Sequence, residues 1–466
     1  MAKKTKAADL SIEEKLEQAL VVPGYEPYKI PDNWCWTTVG TVTNIYRGVS
    51  YKKNEGHSEK HMNDCLVLRG GNIQEGSIDT ETDNVFVNRD LVSGTQIIRK
   101  YDVIIVSSTG SKKVIGRAGI SFSDYSDVAF GAFLTLVRAN DYIYKPFIAY
   151  YLQSDIYRNR IRTLASGVNI NNIRNEYITE TPLSLPPLPE QQRIVERIES
   201  LFSKLDEAKE KAQGVIDSFE TRKAAILHKA FSGELTAKWR EENGVGIESW
   251  ENRSINDICH SLKYGTSKKS KTQGSVIVIR MGNIQQGEID WSDLAYTDDK
   301  EDIEKYRLSP GDVLFNRTNS AVLVGKTSIY RGEFPAIYAG YLIKLDYKHD
   351  EIIGDYLNYA LNTPAAKEYC NNVKTDGVNQ SNINAKKIGA FVIPVASINE
   401  QQVIVEIISF LLKKENESKQ AAEVVIDQIY TMKKAVLARA FRGELGTNDP
   451  EEESAVELLK QILSGE

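Results

Sequence analysis

The chain has 466 residues, 41% of them hydrophobic, and a net charge of −6 at neutral pH. That length predicts two to four domains, and no uncharged apolar run approaches the roughly 20 residues of a membrane span. The charge excludes a uniformly basic surface, so any nucleic-acid contact must come from local patches. Residues 30–189 carry 17 Lys/Arg against 16 Asp/Glu, residues 250–399 carry 18 against 18, and residues 442–466 carry 2 against 7. The acidity therefore sits largely in the tail. Cys35, Cys65, Cys259 and Cys370 lie far apart and form no Cys-x-x-Cys pair, which fits a reducing cytoplasm.

Residues 1–29 are charged and then amphipathic, with Ser11 and Glu14 at capping-box spacing; they predict a short helix and no secretory signal. Residues 30–189 form a first globular block. It is built from β-branched runs such as DVIIVSS and FLTLVR between Gly, Asn, Asp and Ser turns. An amphipathic helix is expected around Pro146–Leu164, then a proline-bearing extended passage, LSLPPLP. Residues 190–231 read as one long helix of about 42 residues, or about 63 Å. Its narrow apolar seam includes Ile194, Ile198, Leu201, Leu205, Val215 and Phe219, with a gap at Arg222. That a/d spacing is the pattern of a coiled coil. Residues 232–249 are a polar, glycine-bearing connector.

The plan then repeats. Residues 250–399 form a second block, residues 400–441 a second long helix, and residues 442–466 an acidic tail with a short helical pattern, SAVELLKQIL. Trp34 answers Trp250; YRGVSYKK answers LKYGTSKK; LRGGNIQEGSID answers IRMGNIQQGEID; Asp102 answers Asp312; SGVNINNI answers DGVNQSNI. The offset drifts from 216 (Trp34 to Trp250) to 210 (Glu190 to Glu400). In the second block the amphipathic helix is expected around Ile352–Val373. Ile404, Ile408, Leu411, Val425, Ile429 and Val436 repeat the seam, interrupted at Glu415 and Ser418. Both helices end in AF-x-GEL, where Gly233 and Gly443 are expected helix stops. A seam this long and narrow is expected to bury itself on its own copy, antiparallel. The two termini are expected to meet and do jointly what the connector does in one piece.

Two blocks, each followed by PPLPEQQRIVERI-like sequence and a helix ending in AF-x-GEL, resemble the specificity subunit of type I restriction-modification systems over nearly the whole chain. The resemblance implies an α+β fold. Two similar target recognition domains, each a mixed β-sheet with helices, are separated by two long helices paired as an antiparallel coiled coil, with pseudo-two-fold symmetry. It implies a cytoplasmic phage-defence protein in which each block reads half of a bipartite site in double-stranded DNA. The helices would set the gap and dock two methyltransferase subunits, and restriction subunits would join through them. S-adenosylmethionine, ATP and Mg would belong to those partners, not to this subunit.

The residues agree with a non-catalytic chain. There is no NPPY or NPPF motif, and Gly325-Lys326-Thr327 lacks the glycine a Walker loop needs at Ser320. His57 and His61 stand four apart with no third ligand read in their loop, so two solvated histidines are expected. Three polar segments that recur in both blocks are the DNA-contact candidates. The first holds Arg47, Tyr51, Lys52 and Lys53, with Tyr264, Lys268, Lys269 and Lys271, suited to phosphates. The second holds Ser108, Lys112, Lys113 and Arg117, with Asn316, Arg317, Asn319 and Lys326, where Arg and Asn suit base edges. The third holds Asn169, Asn171, Asn172 and Arg174, with Asn379, Gln380 and Asn382. Solvated loops and plain turn chemistry would explain the same residues. The competing function is a coiled-coil scaffold whose blocks bind protein or carbohydrate.

Overall fold

The computed structural model describes residues 10–22, 24–111, 113–165, 172–378 and 380–465. The chain divides into two compact units, residues 1–211 with 425–466, and residues 212–424. Each unit holds one block with portions of both long helices.

The two blocks have the same topology. In the first, four antiparallel strands run in the order Thr43–Arg47, Leu134–Ala139, Val103–Val106, Ala118–Ile120. A three-stranded sheet has Asp64–Leu68 at its centre, antiparallel to Phe86–Asn88 and parallel to Val128–Phe130. The second block repeats both: Cys259–Tyr264, Leu342–Tyr347, Val313–Asn316, Thr327–Ile329, and then Val276–Ile279 between Tyr296–Thr297 and Ala336–Tyr338. The strand Val103–Val106 is buried throughout, which is why it reads as a continuous apolar run rather than an alternation.

The extended prolines sit where their missing donors do least harm. Among the described residues, Pro182–Leu185 pairs only with Cys35–Thr38, and Val392–Val395 only with Glu251–Ser254. Each amphipathic helix expected before them is two shorter ones, Lys145–Tyr151 with Asp155–Ala165, and Gly354–Leu361 with Pro364–Val373. In the second block Pro364 cannot continue a helix, and Thr363 caps the new one by accepting from Ala366 N–H.

The first long helix also differs from expectation. It runs Leu188–Asp217 and resumes as Phe219–Phe231. At the join Ser218 Oγ donates to Gly214 O at 2.5 Å, a side chain bonding back into its own helix. The second is unbroken over Ile398–Ala440. Within each unit the two helices run antiparallel. In one, Lys433 meets Asp206 at 2.6 Å while Ile194 and Ile198 pack with Leu437 and Ala440. In the other, Arg222 meets Glu415 at 2.6 Å while Leu227 packs with Ile404 and Ile408.

The seam is corrected in its second half. Ile194, Ile198, Phe219, Ile404, Ile408 and Ile429 are buried, and Leu201, Leu205, Val215, Leu411 and Val436 half-buried. Val425 is exposed, and Ile426 takes the inward position beside Ala422 and Ile429. A straight helix drifts against a strict seven-residue repeat, and here the drift shifts the stripe by one residue.

Each block is gripped by the start of one long helix and the end of the other. Phe441 packs edge-on against Phe147 and Tyr151, and Phe231 packs at a tilt against Tyr356. Tyr356 Oη donates to Pro394 O at 2.8 Å, and Tyr151 makes the matching bond to Pro182 O. Gly233 and Gly443 stop the helices at φ +81° and +73°, left-handed values that glycine adopts freely.

The chain ends close the first unit. Helices Ile12–Ala19 and Ala455–Ser464 pack together on its core through Ala19, Ala455 and Leu459. Ser11 and Glu14 form the capping box their spacing predicts. The connector closes the second unit, with a helix over Ala237–Glu242.

Candidate nucleic-acid interface

The second and third candidate segments meet in both blocks. Ser108 bridges Asn172 in the first. In the second, Thr318 pairs with Asn382 and Asn319 with Ser381, at the base of a hairpin whose tip residue Val378 is fully exposed. The first segment joins them in the second block. Arg317 lies over the Tyr264 ring at 4.9 Å and donates through Nη2 to Asn382 Oδ1 at 3.0 Å. Asn382 Nδ2 donates to Thr318 Oγ1 at 2.8 Å, and Tyr264 Oη accepts from Ala385 N–H at 2.9 Å. Tyr264, Arg317 and Asn382 are thus pre-set by one hydrogen-bonded network, with Tyr264 exposed and the other two half-exposed.

Other candidates fall elsewhere. Asn316 is fully buried, donating weakly to Met281 O at 3.4 Å, so it cannot touch DNA. It sits on the inward face of a central strand, a parity its polar side chain disguised. Arg117 and Lys326, the basic residues after glycine, reach inward to the repeated Asn-Ile-Gln turn. Arg117 donates to Ile73 O at 3.0 Å and Lys326 to Gln285 Oε1 at 2.9 Å. Burial also pushes the Lys326 ammonium below its ordinary pKa. Their recurrence is structural. The asparagine of that turn accepts from the residue three before it in both copies, Asn72 from Arg69 N–H and Asn283 from Arg280 N–H, each at 2.8 Å.

The cations of the first segment differ between blocks. Arg47, Lys52 and Lys53 are exposed, as are Lys113 and Arg174, while Tyr51 is half-buried. Lys268 is held by Asp299, Asp302 and Glu301 at 2.8, 3.3 and 3.6 Å, and Asp299 and Asp302 raise its pKa. Lys271 lies 3.3 Å from Asp298. Lys269, Asn319 and Gln380 remain at the surface or half-exposed. Lys112, Asn169, Asn171 and Asn379 lie outside the described residues.

Two aromatics beside the site were missed by sequence reading. Phe133 O accepts from Ser107 and Ser108 N–H, and Tyr341 O accepts from Arg317 N–H; both side chains are exposed. Their signal was a bulky aromatic one or two residues after the glycine of GAFLTL and GYLIKL. One buried and one partly buried ion pair hold the sheets beneath. Arg138 clasps Asp102 through Nε at 2.8 Å and Nη2 at 2.6 Å, and Lys344 meets Asp312 at 3.1 Å.

A model of the type I restriction modification DNA specificity domain matches residues 31–215 and again 247–426. The chain belongs to that family. Its two matches coincide with the two copies of the topology described above. Over 450 residues it is 29% identical to the type I restriction enzyme EcoKI specificity subunit of Escherichia coli K12, covering 93% of this chain and 96% of that one. It is 29% identical over 422 residues to the StySPI specificity subunit of Salmonella potsdam, covering 90% of each. Among solved structures, the HsdS subunit of Thermoanaerobacter tengcongensis shares the fold at a TM-score of 0.56 and 19% identity, covering 90% of this chain and 99% of that one. A chain solved in work on complex assembly and conformational transition of the type I R-M system matches at a TM-score of 0.66 and 19% identity, over 90% and 100% of the two chains. Among the described residues of this family member, no helix is long and apolar enough to cross a membrane.

Proposed function

We propose that this chain is the sequence-reading subunit of a type I restriction-modification complex, itself non-catalytic. Each block, taken as residues 30–189 and 250–399, reads one half of a two-part site in double-stranded DNA. The long helices, residues 190–231 and 400–441, fix the gap and dock two methyltransferase subunits, through which restriction subunits join. Adenine methylation with S-adenosylmethionine, and ATP- and Mg-dependent cleavage, are the work of those partners.

The observation that carries this reading is the convergence of Tyr264, Arg317 and Asn382. A guanidinium braced on an aromatic face and an amide locked by a hydroxyl are chemistry for base edges and phosphates, set before any ligand arrives. The first block supports it with the matching Ser108–Asn172 bridge. Docking is supported by the exposed, largely apolar side chains Phe410, Val424, Tyr430 and Met432 of the second long helix.

Methylome sequencing of cells expressing this chain with its methyltransferase tests the proposal. A two-part adenine-methylated motif with a fixed gap is expected. No DNA binding by the chain assembled with that methyltransferase, at any salt concentration, overturns it in favour of a protein- or carbohydrate-binding scaffold.

A further inference from the structure

The blocks differ in length most at one place. Lys53 matches Lys269 at an offset of 216 and Cys65 matches Val276 at 211, so the first block holds five extra residues between them. That extra loop brings His57, His61 and Asp64 together. His57 Nε2 lies 2.7 Å from Asp64 Oδ2, and His61 Nδ1 lies 3.6 Å from the same oxygen. The imidazole rings stack with centroids 4.6 Å apart, and the three ligand atoms all lie within 4.8 Å of one another.

Two of the three donors are fixed by the framework. Asp64 opens the central strand of its sheet, its carboxylate is buried, and it accepts the His61 backbone N–H at 2.7 Å. The His57 backbone is clamped to Phe86 in both directions, at 3.1 and 2.8 Å. His61 is exposed at the mouth.

We propose that His57 Nε2, His61 Nδ1 and Asp64 Oδ2 bind one divalent transition ion of the zinc class, with water completing its shell, and that the ion clamps the extra loop. Two imidazole nitrogens and a carboxylate oxygen are a zinc donor set, and Mg²⁺ and Ca²⁺ prefer oxygen alone. Tetrahedral donors about 2.0 Å from zinc stand about 3.3 Å apart, inside the spread seen here. The ion takes the place of the hydrogen that His57 and Asp64 share, and a neutral His57 then carries its one ring proton on Nδ1. The second block has Ser275 where the first has Asp64, and lacks the loop, so the site is expected once per chain.

The test is a zinc titration of the untagged full-length chain by calorimetry, with Co²⁺ substitution followed by its visible d–d absorption. One ion per chain is expected. H61A, at an exposed position, keeps the fold by circular dichroism and weakens binding at least about 10-fold, the range seen when metal-site partners are lost. H57A/H61A abolishes the Co²⁺ spectrum, while H228A and H349A leave it intact. No saturable binding by the parent at micromolar zinc, or undiminished binding by H57A/H61A, overturns the proposal and leaves the pair as a histidine cap on Asp64.

Discussion

Arg222 Nε donates to Glu415 Oε2 at 2.6 Å, so the residues that interrupt the two apolar seams meet each other. Arg222 also donates through Nη2 to Val215 O at 3.1 Å and through Nη1 to Ser218 Oγ, tying down the turn at which the first long helix breaks. The pair is only partly buried, so its net worth is modest, and much of the Arg222 contribution lies in satisfying that turn. R222L alone strands Glu415 and is expected to cost about 1–2 kcal/mol. R222L/E415L replaces two half-buried charges with apolar packing and should recover the loss or exceed the parent. A double-mutant cycle by chemical denaturation reads the coupling; strictly additive losses would show that the two interruptions are independent.

Trp34 and Trp250 donate their indole N–H to Glu190 and Glu400 at 2.8 and 2.9 Å, yet the two glutamates are not equivalent. Glu400 is also clasped by Arg240 at 2.7 Å and Thr236 at 2.6 Å. Glu190 has Thr447 at 3.3 Å, and burial raises its carboxyl pKa despite the Trp34 bond and the nearby Arg193. A carboxyl raised on folding is a cost that is full above the folded pKa and vanishes below the unfolded one. E190Q keeps an acceptor for the indole and removes that cost. It is expected to match or exceed the parent in stability at pH 7, the difference shrinking as pH falls through about 4.5. E400Q leaves Arg240 buried without its counter-charge and is expected to lose about 3–5 kcal/mol. Thermal or urea unfolding at both pH values checks the pair.

Base readers and phosphate holders should separate by their salt dependence. R317A and N382A are expected to relax discrimination in one half-site by about 1–3 kcal/mol while leaving the other half-site unchanged. K52A and K53A should weaken all duplexes alike, each lowering the log–log salt slope by about 1. N316A should act on stability and not on sequence preference, because its side chain is fully buried. Anisotropy titrations with duplexes varied in one half-site distinguish these outcomes. Loss of discrimination in both half-sites on R317A would contradict one block per half-site.

Much of this architecture was legible because it is periodic or duplicated. The seams, the glycine stops and the order of matched segments repeat at a nearly fixed offset, and each carries a physical requirement that only certain residues meet. What was not legible depends on inward or outward facing over a few residues. Asn316 is polar but faces in; Val425 is apolar but faces out, one residue from Ile426, which does the packing. Arg117 and Lys326 recur for reasons of structure, and recurrence alone could not separate them from Arg317. The His57 and His61 loop read as two solvated histidines because sequence spacing does not show that Asp64, at its end, folds back onto both rings.

The spacer role makes the most specific prediction. Lengthening one helix at its end near Phe231 would drag Gly233 and Arg240 away from Glu400, to which the connector is bonded. Inserting four residues would also rotate the apolar stripe, since the seam repeats every seven. The cleaner variant adds one heptad to each long helix, with a/d positions filled by Leu and Ile, at matched points between the two blocks' anchor residues. Each insertion adds about 10.5 Å of helix, against about 3.4 Å per base pair of DNA. The methylated motif is expected to keep both half-site sequences while its gap widens by about three base pairs. Exchange of one block for another should do the reverse, changing one half-site at a constant gap. A lengthened chain that still methylates the original motif would remove the helices as the determinant of spacing and move that role to the partner subunits.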